Sequence, residues 1–96
     1  MTAVMLAERL DLPAAAPLAD TLRQAIAAAP DDDLILDGTQ VTHLGGLCLQ
    51  VLLAARQSRQ RDGHGLRLRQ PSDSFTQAVA DFGLPADIFP IQEDGA

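Results

Sequence analysis

The stretch Val41-Thr42-His43-Leu44-Gly45-Gly46-Leu47-Cys48-Leu49-Gln50-Val51-Leu52-Leu53 decides how this chain is read. It passes from a short apolar strand signal, through two glycines, straight into an apolar helical run. A strand that ends where a helix begins leaves the first N–H groups of the helix without intrahelical acceptors. Such a spot can bind an anion, present a modifiable hydroxyl or dock a partner. The stretch contains no Ser and no Lys, and its hydroxyl nearest the turn belongs to Thr42.

Upstream, Leu34-Ile35-Leu36 is a short, dense strand suited to the middle of a sheet, and Asp37-Gly38-Thr39 bends it into the central stretch. Ala3 to Leu10 alternates, with Val4, Leu6 and Leu10 on one side, and predicts a first strand with one buried face. Between them a helix should start near Pro13 to Ala16, since proline is tolerated in a first turn. Leu18, Leu22 and Ile26 form its stripe, extended by Ala15 and Ala29, and Pro30 with Asp31-Asp32-Asp33 stops it. The aspartates lack the alternating spacing and glycine of a calcium loop and predict a solvated loop.

Downstream, Gly46 to Ala55 is apolar nearly all round and predicts a buried half-helix. From Arg56 to Asp62 the pattern turns polar, exposing Arg56, Arg59 and Arg61. Gly63-His64-Gly65 is a turn, and Leu66-Arg67-Leu68-Arg69 alternates as a strand with one covered and one wet face. Ser72 or Ser74 caps a last helix with the stripe Phe75, Val79 and Phe82, and Gly83 ends it. Leu84 to Ile91 should form a packed coda, and residues 92–96 a frayed tail. Strand, helix, strand, helix, strand, helix implies an α/β domain with parallel neighbours joined by right-handed crossovers. The expected core includes Leu36, Val51, Leu52, Leu68, Val79 and Phe82. One domain should span 1–96, with its core over about 3–91.

Composition narrows the function classes. The net charge of −6 argues against nucleic acid or an anionic membrane as partner. The single cysteine, Cys48, lies in an apolar run and reads as a buried structural thiol. No apolar run approaches the ~18 residues of a membrane span, and no signal peptide pattern leads the chain, so the expectation is a cytoplasmic protein without membrane insertion. His43 with Asp37 could form a general-base pair, but the stretch offers no nucleophile to activate. His64, between two glycines, reads as an exposed loop residue. Gly45-Gly46 lacks the rest of any phosphate-cradling motif, and His43, Cys48 and Asp37 have no zinc spacing. The residues therefore point to no catalytic site, no metal and no cofactor.

Taken together these marks resemble the STAS domain, the fold of bacterial anti-sigma-factor antagonists and of sulfate-transporter tails. The resemblance runs from about Val4 to Pro90. Leu10-Asp11 with Leu18 and Leu22 is similar to the family's Leu-Asp and first helix. Leu36-Asp37, Val41 and Leu44 are similar to its central strand and approach, and Phe82-Gly83 to the end of its last helix. It implies a STAS-like mixed sheet with a parallel core and helices mainly on one face. Where the family carries Asp-Ser-Ser-Gly or Asp-Thr-x-Gly, this chain reads Gly45-Gly46-Leu47-Cys48, so Leu47 stands at the position equivalent to the family's phosphoserine. A phosphoryl group there would add roughly −1.5 to −2 charge, and Leu47 cannot accept one.

The resemblance implies a non-catalytic interaction module without an on–off switch. Its partner surface is expected at Thr42, His43, Leu44, Gly45, Gly46, Leu47 and Gln50, and along the outward side of the helix to Arg56 and Arg59. Leu47 itself could lie in that surface or in the core. The form Leu44 to Leu53 is similar to STAS proteins associated with chemotaxis, which implies a signalling kinase or scaffold of a chemotaxis, two-component or anti-sigma-type pathway. The ending Gly83 to Pro90 is similar to that of a cytoplasmic subunit of phospholipid (Mla-type) ABC transporters, which implies a transporter ATPase instead.

Overall fold

The computed structural model describes residues 3–92. Strand β1 spans Ala3–Met5 and β2 Arg9–Leu10. After a 3₁₀ turn over Leu12–Ala14 come α1 (Ala15–Ala28), β3 (Leu34–Asp37), β4 (His43–Leu44), α2 (Gly46–Arg61), β5 (Leu66–Arg69) and α3 (Asp73–Asp81). The single strand expected over Ala3 to Leu10 is thus two. The Leu6 N–H still donates to Asp37 O at 2.9 Å, but Glu8 O turns to accept from the Thr42 and His43 N–H groups at 2.7 and 3.2 Å. Val4, Leu6 and Leu10 all stay buried through this bend, and its one mark in the period-2 pattern is Glu8, an exposed charged residue on the same alternate series.

The main sheet has the order β1-β3-β5, with Val4 opposite Leu36 and Leu36 opposite Leu68. A second pair joins β2 to β4, Leu10 opposite Leu44. Every strand pair among the described residues is parallel, as strand–helix–strand crossovers require. The dense strand Leu34 to Leu36 does lie in the middle. At the margin, Ile91 bridges Leu68, with Leu68 N–H donating to Pro90 O at 2.8 Å and Gln92 N–H to Leu68 O at 2.6 Å. Gln92 is therefore tied to the sheet rather than frayed. The rest of the expected tail, residues 93–96, lies outside the described residues.

One sheet face carries Val4, Leu6, Leu34, Leu36, Leu66 and Leu68, and packs on Leu18 and Leu22 of α1, Leu49 and Leu52 of α2, and Phe75 and Val79 of α3. All three helices thus feed the core on that face. The reverse face shows Met5 and Arg67 to solvent, with Asp37 and Arg69 half-buried. Val51 is half-buried against the core, and Phe82 is no core residue at all: its side is 51% exposed. It caps α3 one residue past the last helical position and has left the buried stripe. Ser72, not Ser74, is the N-cap. Its Oγ accepts from Phe75 N–H at 3.1 Å and donates to Val41 O at 2.6 Å, which fastens α3 to the approach to α2.

Arg59 departs furthest from expectation, being 2% exposed. Its Nη1 donates to Pro30 O at 3.1 Å and Asp32 O at 2.9 Å, and its Nη2 to Asp62 Oδ2 at 3.0 Å. The guanidinium turns inward where the loop between α1 and β3 presents two carbonyls that accept its N–H groups. In the same loop Asp33 accepts from Gly65 N–H at 2.8 Å and from Arg67 Nε at 3.3 Å, with half-buried His64 at 4.0 Å. The Gly65 N–H, then Arg67, hold that carboxyl below its usual range. Asp31 and Asp32 keep exposed side chains, whereas Asp33 is a structural acceptor.

Candidate functional site

The parallel strands β2 and β4 end side by side at the start of α2. Gly45 N–H donates to Leu10 O at 2.8 Å, and Leu49 N–H to Gly45 O at 3.0 Å opens the helical ladder. The amides of Gly46, Leu47 and Cys48 precede that first bond, and no side chain caps the helix. Space for a side chain is tight at Gly45 and ordinary at Gly46. A Cβ on Gly45 would lie 3.3 Å from Leu10 O and 3.6 Å from His43 Nε2, and one on Gly46 would lie 3.4 Å from the Phe82 ring. The backbone of β2 and an aromatic ring both approach where a side chain would otherwise stand.

Leu47 is 45% exposed at the second position of α2. It stands beside Gly46, over which the exposed ring of Phe82 lies. On the other flank Cys48 Sγ donates to Asp11 O at 3.3 Å, next to Leu12, which is 71% exposed. Three exposed apolar side chains thus rim one helix N-terminus. Thr42, His43 and Gln50 are exposed around it, and Gly45, Gly46 and Arg56 are half-buried. Leu44 is not part of the surface: it is 4% exposed because β4 turns alternate side chains inward. The outward stripe of α2 runs Leu47, Gln50, Ala54, Gln57, Arg61, so Arg59 is excluded from it.

The chemistry of the rim is plain. Asp37, the carboxylate nearest His43 in sequence, has Oδ1 occupied by the Thr39 hydroxyl at 2.6 Å and the Thr39 N–H at 2.9 Å; these bonds lower its pKa. Thr42 Oγ1 donates to Glu8 O at 3.1 Å, directed at β2 rather than along α2. Burial, then the charge of Asp11, pushes the Cys48 thiol up, away from reactive thiolate. Among the described residues no His, Cys, Asp and Glu cluster could hold a metal ion, and no helix is long and apolar enough to cross a membrane.

Beside the rim, β4 and α3 enclose an open trough of about 650 Å³ lined by Thr42, His43, Asp73, Gln77, Asp81 and Phe82, among others. On the opposite stripe of α3, Phe75 and Val79, with Phe89 from the chain after the helix, line a separate apolar groove of about 300 Å³ that does not reach the rim. The sequence reading missed Leu12 and Phe82 as surface residues. The only hint was that an aromatic placed just before a helix-ending glycine need not stay on the buried stripe.

A family model described as "Mlab, STAS domain" matches residues 1–90. The chain belongs to the STAS domain family. The parallel sheets with three helices are those of a STAS fold, as the resemblance implied. A search of curated proteins found no match to this chain. STAS domains are generally non-catalytic and act through protein–protein contacts. This STAS domain presents Leu47 at the start of α2, with no hydroxyl there.

Proposed function

We propose that this chain, a single STAS domain over residues 1–96, is a non-catalytic, non-phosphorylatable interaction module of bacterial signalling, working in the cytoplasm. It docks on a kinase or scaffold of a chemotaxis, two-component or anti-sigma-type pathway through the start of α2. The observation that carries this reading is the exposure of Leu47 beside the bare backbone of Gly46 and the ring of Phe82. An apolar side chain held at 45% exposure, rimmed by Leu12 and Phe82, is a surface that gains from being covered. The docking residues are Thr42, His43, Gly45, Gly46, Leu47, Gln50 and Arg56, joined by Leu12 and Phe82 and without Leu44. The missing hydroxyl at Leu47 makes the surface constitutive. Phosphate cannot be added there to change what it binds.

A second reading is a cytoplasmic STAS subunit of a phospholipid (Mla-type) ABC transporter, with the ATPase as partner. The word "Mlab" in the family description and the ending Gly83 to Pro90 favour it. Titrating the purified chain against the purified signalling kinase or scaffold of its host, and against the host's transporter ATPase, separates the two. A 1:1 complex with the kinase or scaffold supports the first reading. A complex with the ATPase alone replaces it with the second.

A further inference from the structure

We propose that the trough between β4 and α3 receives an arginine of an amphipathic helix in the partner protein, so that this chain selects its partner by positive charge. The proposal rests on the docking reading above and names the chemistry of the partner. Asp73, Gln77 and Asp81 recur at every fourth residue of α3, all exposed, and form one polar edge of the trough. At the rise of an α-helix that edge is about 12 Å long, close to two turns of an incoming helix. Among the described residues no Lys or Arg lines the trough.

Three features converge at its Phe82 end. Asp81 occupies the last turn of α3, where the helix's own field disfavours a carboxylate and no basic residue offsets it. Gln77 Nε2 donates to Asp81 Oδ1 at 2.9 Å, which orients that carboxylate without neutralising it. The half-exposed ring of Phe82 adjoins it. A guanidinium entering here meets a carboxylate, a helix C-terminus and an aromatic face, each of which attracts a cation. A planar arginine fits that combination better than a lysine. The apolar side of the same incoming helix then lies over Phe82 and Leu47.

Three synthetic helical peptides with one leucine stripe, carrying arginine, glutamine or glutamate on the polar side, test this against the ¹⁵N-labelled chain. The arginine peptide should shift the amides of His43, Gln77, Asp81 and Phe82. Its Kd should rise at least about tenfold between about 0.05 and 0.5 M salt. Asp81→Asn should weaken it at least about fivefold, with Asp73→Asn affecting it less, because only Asp81 meets the ring and the helix end. Shifts centred on Asp31 and Asp32 overturn the proposal, because charge alone would then suffice. Equal binding of the arginine and glutamine peptides at the rim also overturns it, yet leaves the docking surface standing. Binding of none removes both. A salt-sensitive dimer of the chain that Asp81→Asn dissolves would assign the trough to a second copy and overturn it too.

Discussion

Replacing Arg59 with Ala is the sharpest test of how the structure holds α2 in place. The guanidinium is 2% exposed and donates to two loop carbonyls, Pro30 O at 3.1 Å and Asp32 O at 2.9 Å. A hydrogen bond from a charged donor contributes about 1.5–3 kcal/mol, and the lower end applies because Pro30 and Asp32 are exposed enough to be rehydrated. The bond to Asp62 adds little, since that carboxylate is 58% exposed and stays solvated when its partner is removed. Against these gains, Arg59 Nε is buried without a hydrogen-bond partner among the described residues, which costs about 1 kcal/mol or more in the native protein. Loss of the packed aliphatic stem costs about 0.8 kcal/mol per methylene. The net expectation for Arg59→Ala is a loss of about 2–4 kcal/mol, and a melting temperature lower by roughly 10–25 °C for a domain of this size. Arg59→Met keeps the stem and should lose only about half as much. Urea unfolding with unchanged m-values is the assay. A loss below about 0.5 kcal/mol for Arg59→Ala, the range of surface substitutions, would refute the buried clamp.

Leu52, fully buried at the centre of α2, should cost about 2–5 kcal/mol when replaced by Ala, and a change below about 0.5 kcal/mol would mean the helix faces another way. Asp33 has its folded-state pKa lowered by the Gly65 N–H, then by Arg67, so its contribution is present above the unfolded carboxylate value and lost as pH falls through the folded one. Asp33→Asn should therefore be less stable than the native chain at pH 7, by under about 1 kcal/mol because the Arg67 pair is partly exposed. That gap should close below about pH 4, and a gap that widens there contradicts the assignment. Incubation with an anti-sigma-type kinase and ATP should add no phosphate by intact mass, since Leu47 lacks a hydroxyl and Thr42 Oγ1 is engaged with Glu8 O. A phosphate on Thr42 would mean that the switch had moved.

The fold was legible wherever periodicity and punctuation coincide. Leu34-Ile35-Leu36 reads as a central strand because both faces are buried, and it is one: all three residues are below 4% exposure. Leu66 to Arg69 reads as half-covered and is. The break between β1 and β2 had one mark, Glu8, a charged residue on the inward series of Val4, Leu6 and Leu10, and a single strand over Ala3 to Leu10 reads past it. Arg59 was misread because a polar residue in a polar run carries no signal that distant carbonyls at Pro30 and Asp32 accept its protons. Leu44 and Phe82 failed in opposite directions. Leu44 belongs by sequence to the rim but by strand alternation to the core, and Phe82 continues a helical stripe whose helix has already ended. The turn Gly45-Gly46 into α2 was legible from the pattern of the stretch, whereas the sequence left Leu47 open between surface and core, and it is 45% exposed. The site's neighbours across space, Leu12, Asp81 and Phe82, depend on tertiary approach that one sequence does not encode locally.

The central claim is that Leu47 is a docking residue, and Leu47→Asp tests it most directly. The residue lies half-exposed in the first turn of α2, where a carboxylate is favoured by the helix N-terminus by about 0.3–1 kcal/mol. The variant should therefore fold with a melting temperature equal to or slightly above that of the native chain. Covering that carboxylate in an apolar contact should weaken the complex by more than tenfold, about 1.4 kcal/mol, when measured by titration calorimetry against the purified signalling partner. A folded Leu47→Asp chain that binds its partner with native affinity would contradict the account.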